Sequence, residues 1–380
     1  MKILIVGAGL SGCSMARLLK DSGHDITIIE QKAHIGGLCV TRVNGDGILY
    51  EPFGARTFHA TNQKVIRFVT RFDSFNGFVH KKGIFIDGKI YPYPISMRTV
   101  QQLEQKEMIL QELRERPKRI NKINFEKASV SVYGNTLYNL FIKPYSLKMW
   151  GRDPKDLEAA LAIKRMELRY DDRQSLFGDE WQGLPVHGYS FLLKSMIRQI
   201  PLRLNTAQFN PADYDVVVFS GPIDQFFKYR YGKLEYRSLR FYYRRNERWE
   251  NNNYGTINLP QHSLYIRKCN FKVMHKQITK QSLIQYQKPV EEDDNHMPMY
   301  PVRSRKNSQA FDKYLHLICK THICPIGRLG LFSYLNMDQV VELSFSILSI
   351  INKYPVLTPQ QRYDKIKNAI KKYNNLENKK

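Results

Sequence analysis

The sequence predicts an α/β fold built from a Rossmann-like lobe, a helical lobe inserted into it, and an antiparallel β-sheet lobe. Three observations carry this. The chain opens on an apolar strand, a glycine-rich turn and a helix, in KILIVGAGLSGCSMARLLKDSGHDITIIE; a charged helical block starts near residue 97; and strand-like pieces dominate from about 165 to 300. At 380 residues the chain exceeds the size at which one hydrophobic core stops growing, so several lobes are expected.

Ile3 to Val6 read as a continuous apolar strand, Gly12 to Lys20 as a helix and Asp25 to Glu30 as a second strand. Gly7, Gly9 and Gly12 fit G-x-G-x-x-G, and Glu30 follows the last of them by eighteen residues. That is the context a dinucleotide site requires. Gly7 permits the tight turn, Gly9 lets a pyrophosphate approach the backbone, Gly12 lets helix and sheet pack closely, and the helix N-terminus offers free N–H groups to the anion. Glu30 is expected to accept hydrogen bonds from a ribose with a free 2′-OH. A second glycine pair, Gly36-Gly37 in QKAHIGGLCVT, is the pattern of flavoproteins of the glutathione-reductase and amine-oxidase type, so FAD is preferred over NAD.

Further along, KGIFIDGKIYPYPIS reads as a hairpin turning at Asp87-Gly88. Residues 97 to 126 read as charged and helical, ending near Arg116-Pro117 or just beyond. ASVSVYGNTLYNLFIKPYSLKMW and DPKDLEAALAIKRM read as further helices, the latter with Asp153 as N-cap and Pro154 at its first position. RSLRFYYRR, YGTINL, SLYIRKCNF and SLIQYQKPV suggest an antiparallel sheet, and DYDVVVFSGPIDQFF an apolar strand returning to the first lobe. The expected organisation is a first part of the FAD lobe (1–75), a hairpin joining the sheet lobe (76–96), a helical substrate lobe (97–165), a mobile loop with substrate-sheet elements (166–200), a return to the FAD lobe (201–232), the sheet lobe (233–318), the FAD lobe's last part (319–355) and a basic tail (356–380).

With 59 Lys+Arg against 35 Asp+Glu, the formal charge is +24, which suits nucleic acid, an anionic membrane surface or a phosphorylated small molecule. Lys365, Lys367, Lys371, Lys372, Lys379 and Lys380 read as a solvated helix end and tail. Five cysteines without a C-x-x-C spacing imply reduced thiols in a cytoplasmic setting and argue against zinc. No apolar run approaches the roughly 18 residues of a membrane span. The stretch YNLFIKPYSLKMWGRDP sets Tyr145 and Trp150 among Lys143, Lys148 and Arg152. It suits either a flat anionic ligand or a helix core.

Across about residues 1 to 350 the chain resembles the UDP-galactopyranose mutase family of flavoenzymes, most specifically in GGLCVTRVNGDGILYEPFGARTFHATN, FIKPYSLKMWGRDPKDL, WQGLPVHGYS, SGPIDQFFKYRYGKLEYRSLRF, MYPV and GRLGLFSYLNMDQ. The resemblance implies an isomerase acting on a UDP-hexose, with no net redox change, through a sugar adduct at N5 of reduced FAD. It places Tyr145 on the uracil, with Phe141, Ser146, Trp150 and Asn258 in the same pocket. Arg165 and Arg267 become the diphosphate arginines, Arg165 on a mobile loop, and Tyr300 and Tyr334 the hydroxyl donors. His59, Arg328, Asn336 and Met337 are placed at the cofactor, with the helix starting in YLNMDQVVELSFSI, capped by Asn336 or Asp338, directing its positive end to the flavin. The resemblance further implies a flavin reductant such as NAD(P)H and a homodimer, with no nucleic-acid partner.

Four positions depart from the family pattern. Arg56 stands where a histidine is usual, as in a branch that accepts N-acetylgalactosamine nucleotides, and is assigned a catalytic place beside flavin and sugar. Asn336 replaces an Asp, Ser96 an Asn, and Gln174 stands near an expected diphosphate tyrosine. UDP-galactopyranose is the expected substrate and UDP-N-acetylgalactosamine the nearest alternative; a net-redox oxidase and a basic nucleic-acid-binding protein are the competing classes.

Overall fold

The computed structural model describes residues 1–163, 166–249, 253–291, 293 and 297–374. The strands of its two main sheets are, in chain order, β1 (Lys2–Val6), β2 (Asp25–Ile29), β3 (Lys82–Ile86), β4 (Lys89–Tyr93), β5 (Leu202–Arg203), β6 (Val216–Phe219), β7 (Tyr236–Arg245), β8 (Thr256–Asn258), β9 (Arg267–Asn270), β10 (Leu283–Glu291), β11 (Tyr300–Pro301) and β12 (Ile323–Pro325). The helices that matter here are α1 (Leu10–Asp21), α2 (Met97–Val100), α3 (Lys106–Glu115), α4 (Phe125–Leu137), α5 (Lys143–Trp150), α6 (Ala159–Ile163), α7 (Tyr189–Met196), α8 (Arg305–Cys319), α9 (Met337–Ile351) and α10 (Pro359–Asn374).

One sheet is parallel throughout, in the order β12-β6-β1-β2-β5. Its central strands are uniformly apolar because helices cover both faces, which is what buried parallel strands require. Ile3, Leu4, Ile5 and Val216 to Val218 are fully buried, as are Met15, Ala16 and Leu19 of α1 and Leu192 and Leu193 of α7. β6 lies beside β1 although about 200 residues separate them (Ile5 opposite Val218), so the segment ending at Gly221-Pro222 does return to the first lobe.

The second sheet runs β11-β7-β10-β9-β8-β3-β4. The hairpin turns where expected, with Asp87 and Gly88 both at positive φ (47° and 78°), the geometry of a tight two-residue loop. The sheet is not wholly antiparallel: β3 pairs parallel with β8. This pair joins the early hairpin to the later strands and had no local signature.

The helical block is more broken than its periodicity suggests. Residues 97 to 126 hold two separate helices, α2 and α3, and then non-helical chain before α4. Gly134 leaves helical φ/ψ inside α4, and Tyr138–Ile142 is a π-helical turn before α5. The expected single helix after Asp153 is a 3-10 turn at Pro154–Asp156 followed by α6. Asp153 does cap it, accepting from Lys155 N. Leu157 then turns extended, and its carbonyl accepts from Phe125 N at the start of α4. A tertiary hydrogen bond has overridden local propensity.

The C-terminal segment is more than a solvated tail. α10 buries Tyr363, Ile366, Ile370 and Tyr373 along one stripe, leaving Lys365, Lys367 and Lys371 outside. Lys379 and Lys380 lie outside the described residues. All five cysteines are free and buried. Among the described residues no helix is long and apolar enough to cross a membrane, and no cluster of His, Cys, Asp or Glu could hold a metal.

Candidate active site

The site begins at the β1–α1 turn. Gly7 takes φ 100°, and a Cβ at Gly12 would lie 1.9 Å from the Gly7 carbonyl oxygen, so the turn closes only with glycine at both places. Gly9 differs. A Cβ there would meet nothing nearer than 3.9 Å, so its bareness serves the space above the turn and not the packing below. The start of α1 has neither a side-chain cap nor an acidic residue in its first turn, leaving its N–H groups for an anion.

Glu30 is buried and accepts from Ala8 N at 2.8 Å and Lys32 N at 3.0 Å, so this carboxylate braces the glycine turn. Gly36 and Gly37 close onto the same turn: Gly36 N donates to Ala8 O at 2.8 Å, and a Cβ on Gly37 would come within 3.3 Å of Gly9 Cα. The two glycine motifs, separated in sequence, form one cradle. These residues fit a dinucleotide.

A second constellation sits where α5 meets the sheet. Asn258 and Arg267 face each other as the last cross-strand pair of the β8–β9 hairpin. Arg267 donates from Nε to Asn258 Oδ1 at 3.1 Å and from Nη2 to the Tyr145 hydroxyl at 2.7 Å. Burial works against its charge, but Tyr145, Cys269, Tyr300 and Tyr334 outweigh that and raise its pKa. The guanidinium is a fixed, half-buried cation. α5 ends at Gly151, left-handed at φ 62°, and Arg237 donates from Nε to Met149 O at 3.1 Å, closing the helix end. Of the four expected pocket residues on this segment only Tyr145 is half-exposed; Phe141, Ser146 and Trp150 are buried in the helical core.

Tyr300 and Tyr334 stack with ring centroids 5.6 Å apart, and the Arg328 guanidinium lies over both rings, 5.6 and 5.0 Å from their centroids. Arg328 also donates to Met299 O at 3.0 Å and Leu335 O at 2.6 Å, tying β11 to the chain entering α9. Burial and Tyr334 push the Tyr300 hydroxyl's pKa up, while Arg56, Arg267 and Arg328 all pull it down. Three arginines from distant parts of the chain thus act on one hydroxyl through their charge. Arg56 is anchored by Nη1 to Phe53 O at 2.7 Å and Gly54 O at 2.6 Å.

Asn336 is the N-cap of α9, its N–H accepted by Gln339 Oε1 at 3.0 Å, which resolves the choice between Asn336 and Asp338. Asn caps as well as Asp does, so the exchange keeps the helix start while removing a charge. Met337 receives the Cys39 thiol at 3.8 Å. His59 bonds Asp179 at 2.6 Å and stacks on Phe177 at 3.6 Å. Phe177 and Asp179 carry no motif that marks them in the sequence, and Gln174, near the expected diphosphate tyrosine, is exposed. Ser96 is a buried cap of α2, paired with Thr99. Arg165 lies outside the described residues.

Residues 140–334 match the family model of UDP-galactopyranose mutase, and residues 5–72 that of an NAD(P)-binding Rossmann-like domain. The chain belongs to the UDP-galactopyranose mutase family. It is 29% identical over 357 residues to a Klebsiella pneumoniae protein named "Probable UDP-galactopyranose mutase", covering 89% of this chain and 91% of that one. It is equally 29% identical over 373 residues to the dTDP-fucopyranose mutase of Escherichia coli, covering 90% and 96%. A crystal structure of reduced UDP-galactopyranose mutase superposes with a TM-score of 0.76 at 16% identity, over 95% of this chain and 98% of that one. Family membership and the glycine cradle establish a dinucleotide-binding isomerase-family chain with the expected α/β fold.

Proposed function

We propose that the chain interconverts the pyranose and furanose forms of UDP-galactose, without net redox change. The observation that carries this is the hydrogen-bonded set Tyr145–Arg267–Asn258 beside the stacked Tyr300, Tyr334 and Arg328. In such a reaction UDP leaves the sugar and must be held while detached. Arg267 offers its planar fork to phosphate oxygens, and Tyr300 and Tyr334 add donors without adding charge. Tyr145 gives the uracil a face to stack on, and Asn258 holds Arg267 in orientation. Arg165 is proposed as the second diphosphate arginine.

FAD, bound in its reduced form, supplies the nucleophile for the anomeric carbon. The chain's part is placement and charge: Gly7, Gly9, Gly12, Gly36 and Gly37 admit the pyrophosphate, Glu30 takes the ribose, and Arg328 with the positive end of α9 at Asn336 and Met337 favours an anionic flavin. His59, braced by Asp179, completes that wall. NAD(P)H is the proposed reductant, a homodimer the proposed assembly and the cytoplasm the proposed compartment.

Arg56 supports a second reading, UDP-N-acetylgalactosamine, because a guanidinium whose charge reaches the Tyr300 hydroxyl can donate to an acetamido oxygen. The test is to incubate dithionite-reduced, flavin-loaded protein separately with UDP-galactofuranose and UDP-N-acetylgalactosamine furanose and to follow pyranose formation by chromatography. Conversion of the plain sugar supports the first reading and faster conversion of the acetamido sugar the second. Conversion of neither removes both.

A further inference from the structure

Lys148 sits one helical turn after Tyr145 on α5, with its stem half-buried against the loop that joins β8 to β9. Its ammonium donates to three backbone carbonyls of that single loop: Leu259 O at 2.6 Å, His262 O at 2.5 Å and Tyr265 O at 3.1 Å. An ammonium has three N–H donors, and three carbonyls meet them. Burial pushes its pKa down to about 8 and depresses that of His262, which faces it. The loop is also closed on itself by Leu259 N to Ile266 O at 2.8 Å and by Leu264 N and Tyr265 N to His262 Nδ1 at 3.0 and 3.2 Å, and Gln261 pairs with Asp87 at 2.8 and 2.9 Å; Lys148 is what ties it to α5.

The residues flanking this loop are Asn258 and Arg267, the pair that faces the nucleotide. We infer that Lys148 is the positioning residue of the nucleotide site: by gathering the carbonyls of loop 259–266 it fixes the open end of the β8–β9 hairpin, and so holds the Arg267 fork in register with Tyr145. Both partners of the 2.7 Å Tyr145–Arg267 bond are thereby set from one side chain, Tyr145 through their common helix and Arg267 through the loop. A lysine snorkelling from a helix would give its donors to solvent; this half-buried one gives all three to carbonyls of a hairpin end.

This role rests on the proposal that the site takes a UDP-sugar. The experiment measures UDP affinity by calorimetry on flavin-loaded wild type, Lys148→Met, Arg267→Lys and the double variant, with flavin content and Tm recorded for each. Lys148→Met is expected to weaken UDP at least tenfold while retaining flavin. In the Arg267→Lys background the same change is expected to weaken it less than twofold, because the group being positioned is already altered. A merely structural lysine would lower Tm and give losses that multiply; that result, or wild-type affinity in Lys148→Met, overturns the role. If wild type binds no UDP, the substrate reading falls and takes this role with it, an outcome distinct from an unaffected Lys148→Met beside a UDP-binding wild type. Should Lys148→Met fail to fold, Lys148→Gln carries the same cycle.

Discussion

Arg267 is the residue that ties the candidate site together, because its two hydrogen-bond partners come from a sheet strand and a helix distant in sequence. Truncation to Ala removes charge-assisted bonds of about 2 kcal/mol or more, roughly thirtyfold in affinity. UDP titration of flavin-loaded Arg267→Ala is expected to show that loss, and an unchanged Kd would take Arg267 out of the site. A second residue has a pH signature. Burial pushes the Asp338 carboxyl up to about 6, the His59 ring opposing, and one of its oxygens is buried without a partner. A raised acid pKa means that folding favours the protonated form. The stability it gives is complete below about pH 4 and is lost as pH rises through about 6, a loss of up to about 3 kcal/mol. Asp338→Asn should therefore raise Tm at pH 7.5 by more than at pH 4.5, and an equal shift at both would exclude this ionisation as the cause. Arg267, Tyr145 and Asn258 were legible in the sequence because they lie in motifs. Asp179 and Phe177 were not, because nothing local pairs them with His59; Lys148 was visible as a cation beside Tyr145, but its partners are backbone carbonyls, which leave no trace in residue identity.

Among elements, the glycine cradle was the most legible, since each glycine answers a constraint of the backbone. Gly12→Ala places a methyl 1.9 Å from the Gly7 carbonyl oxygen, and neither backbone can yield without opening the β1–α1 turn. The expected result is a loss of about 2 kcal/mol or more, with flavin content after reconstitution reduced to a small fraction of wild type. Full flavin occupancy would mean that the turn does not hold the cofactor. Gly9→Ala is the informative partner. With nothing nearer than 3.9 Å, its methyl should leave Tm within a degree or two while still lowering flavin affinity. The helical elements were less legible for the opposite reason. Gly134, the π turn at Tyr138–Ile142 and the extended Leu157 are set by what packs around them, and periodicity averages over such breaks.

At the scale of the molecule, a charge of +24 invites a reading in terms of polyanions, yet its basic C-terminal end has an inward face. α10 packs on α9 and α8, and α9 is the helix whose start is proposed above to face the flavin. Tyr363 and Lys367 both reach Asp312 at 2.7 Å, so even the basic side of α10 is partly pinned to α8. Composition makes this segment look like a tail because eight of its sixteen residues are Lys, Arg, Gln or Asp; the stripe Tyr363, Ile366, Ile370, Tyr373 shows only when read at a period of 3.6. Ile366 is fully buried, so Ile366→Asp places a carboxylate in the core between two helices, and a destabilisation of about 3 kcal/mol or more is expected from lost burial and an unpaired charge. Lys365→Asp, one position away and exposed, is the control and should fall within about 0.5 kcal/mol of wild type. Urea unfolding of the two variants separates the cases. If both unfold at the wild-type midpoint, α10 contributes nothing to the core; if only Ile366→Asp shifts, and loses flavin with it, the helix supports the cofactor site through α9.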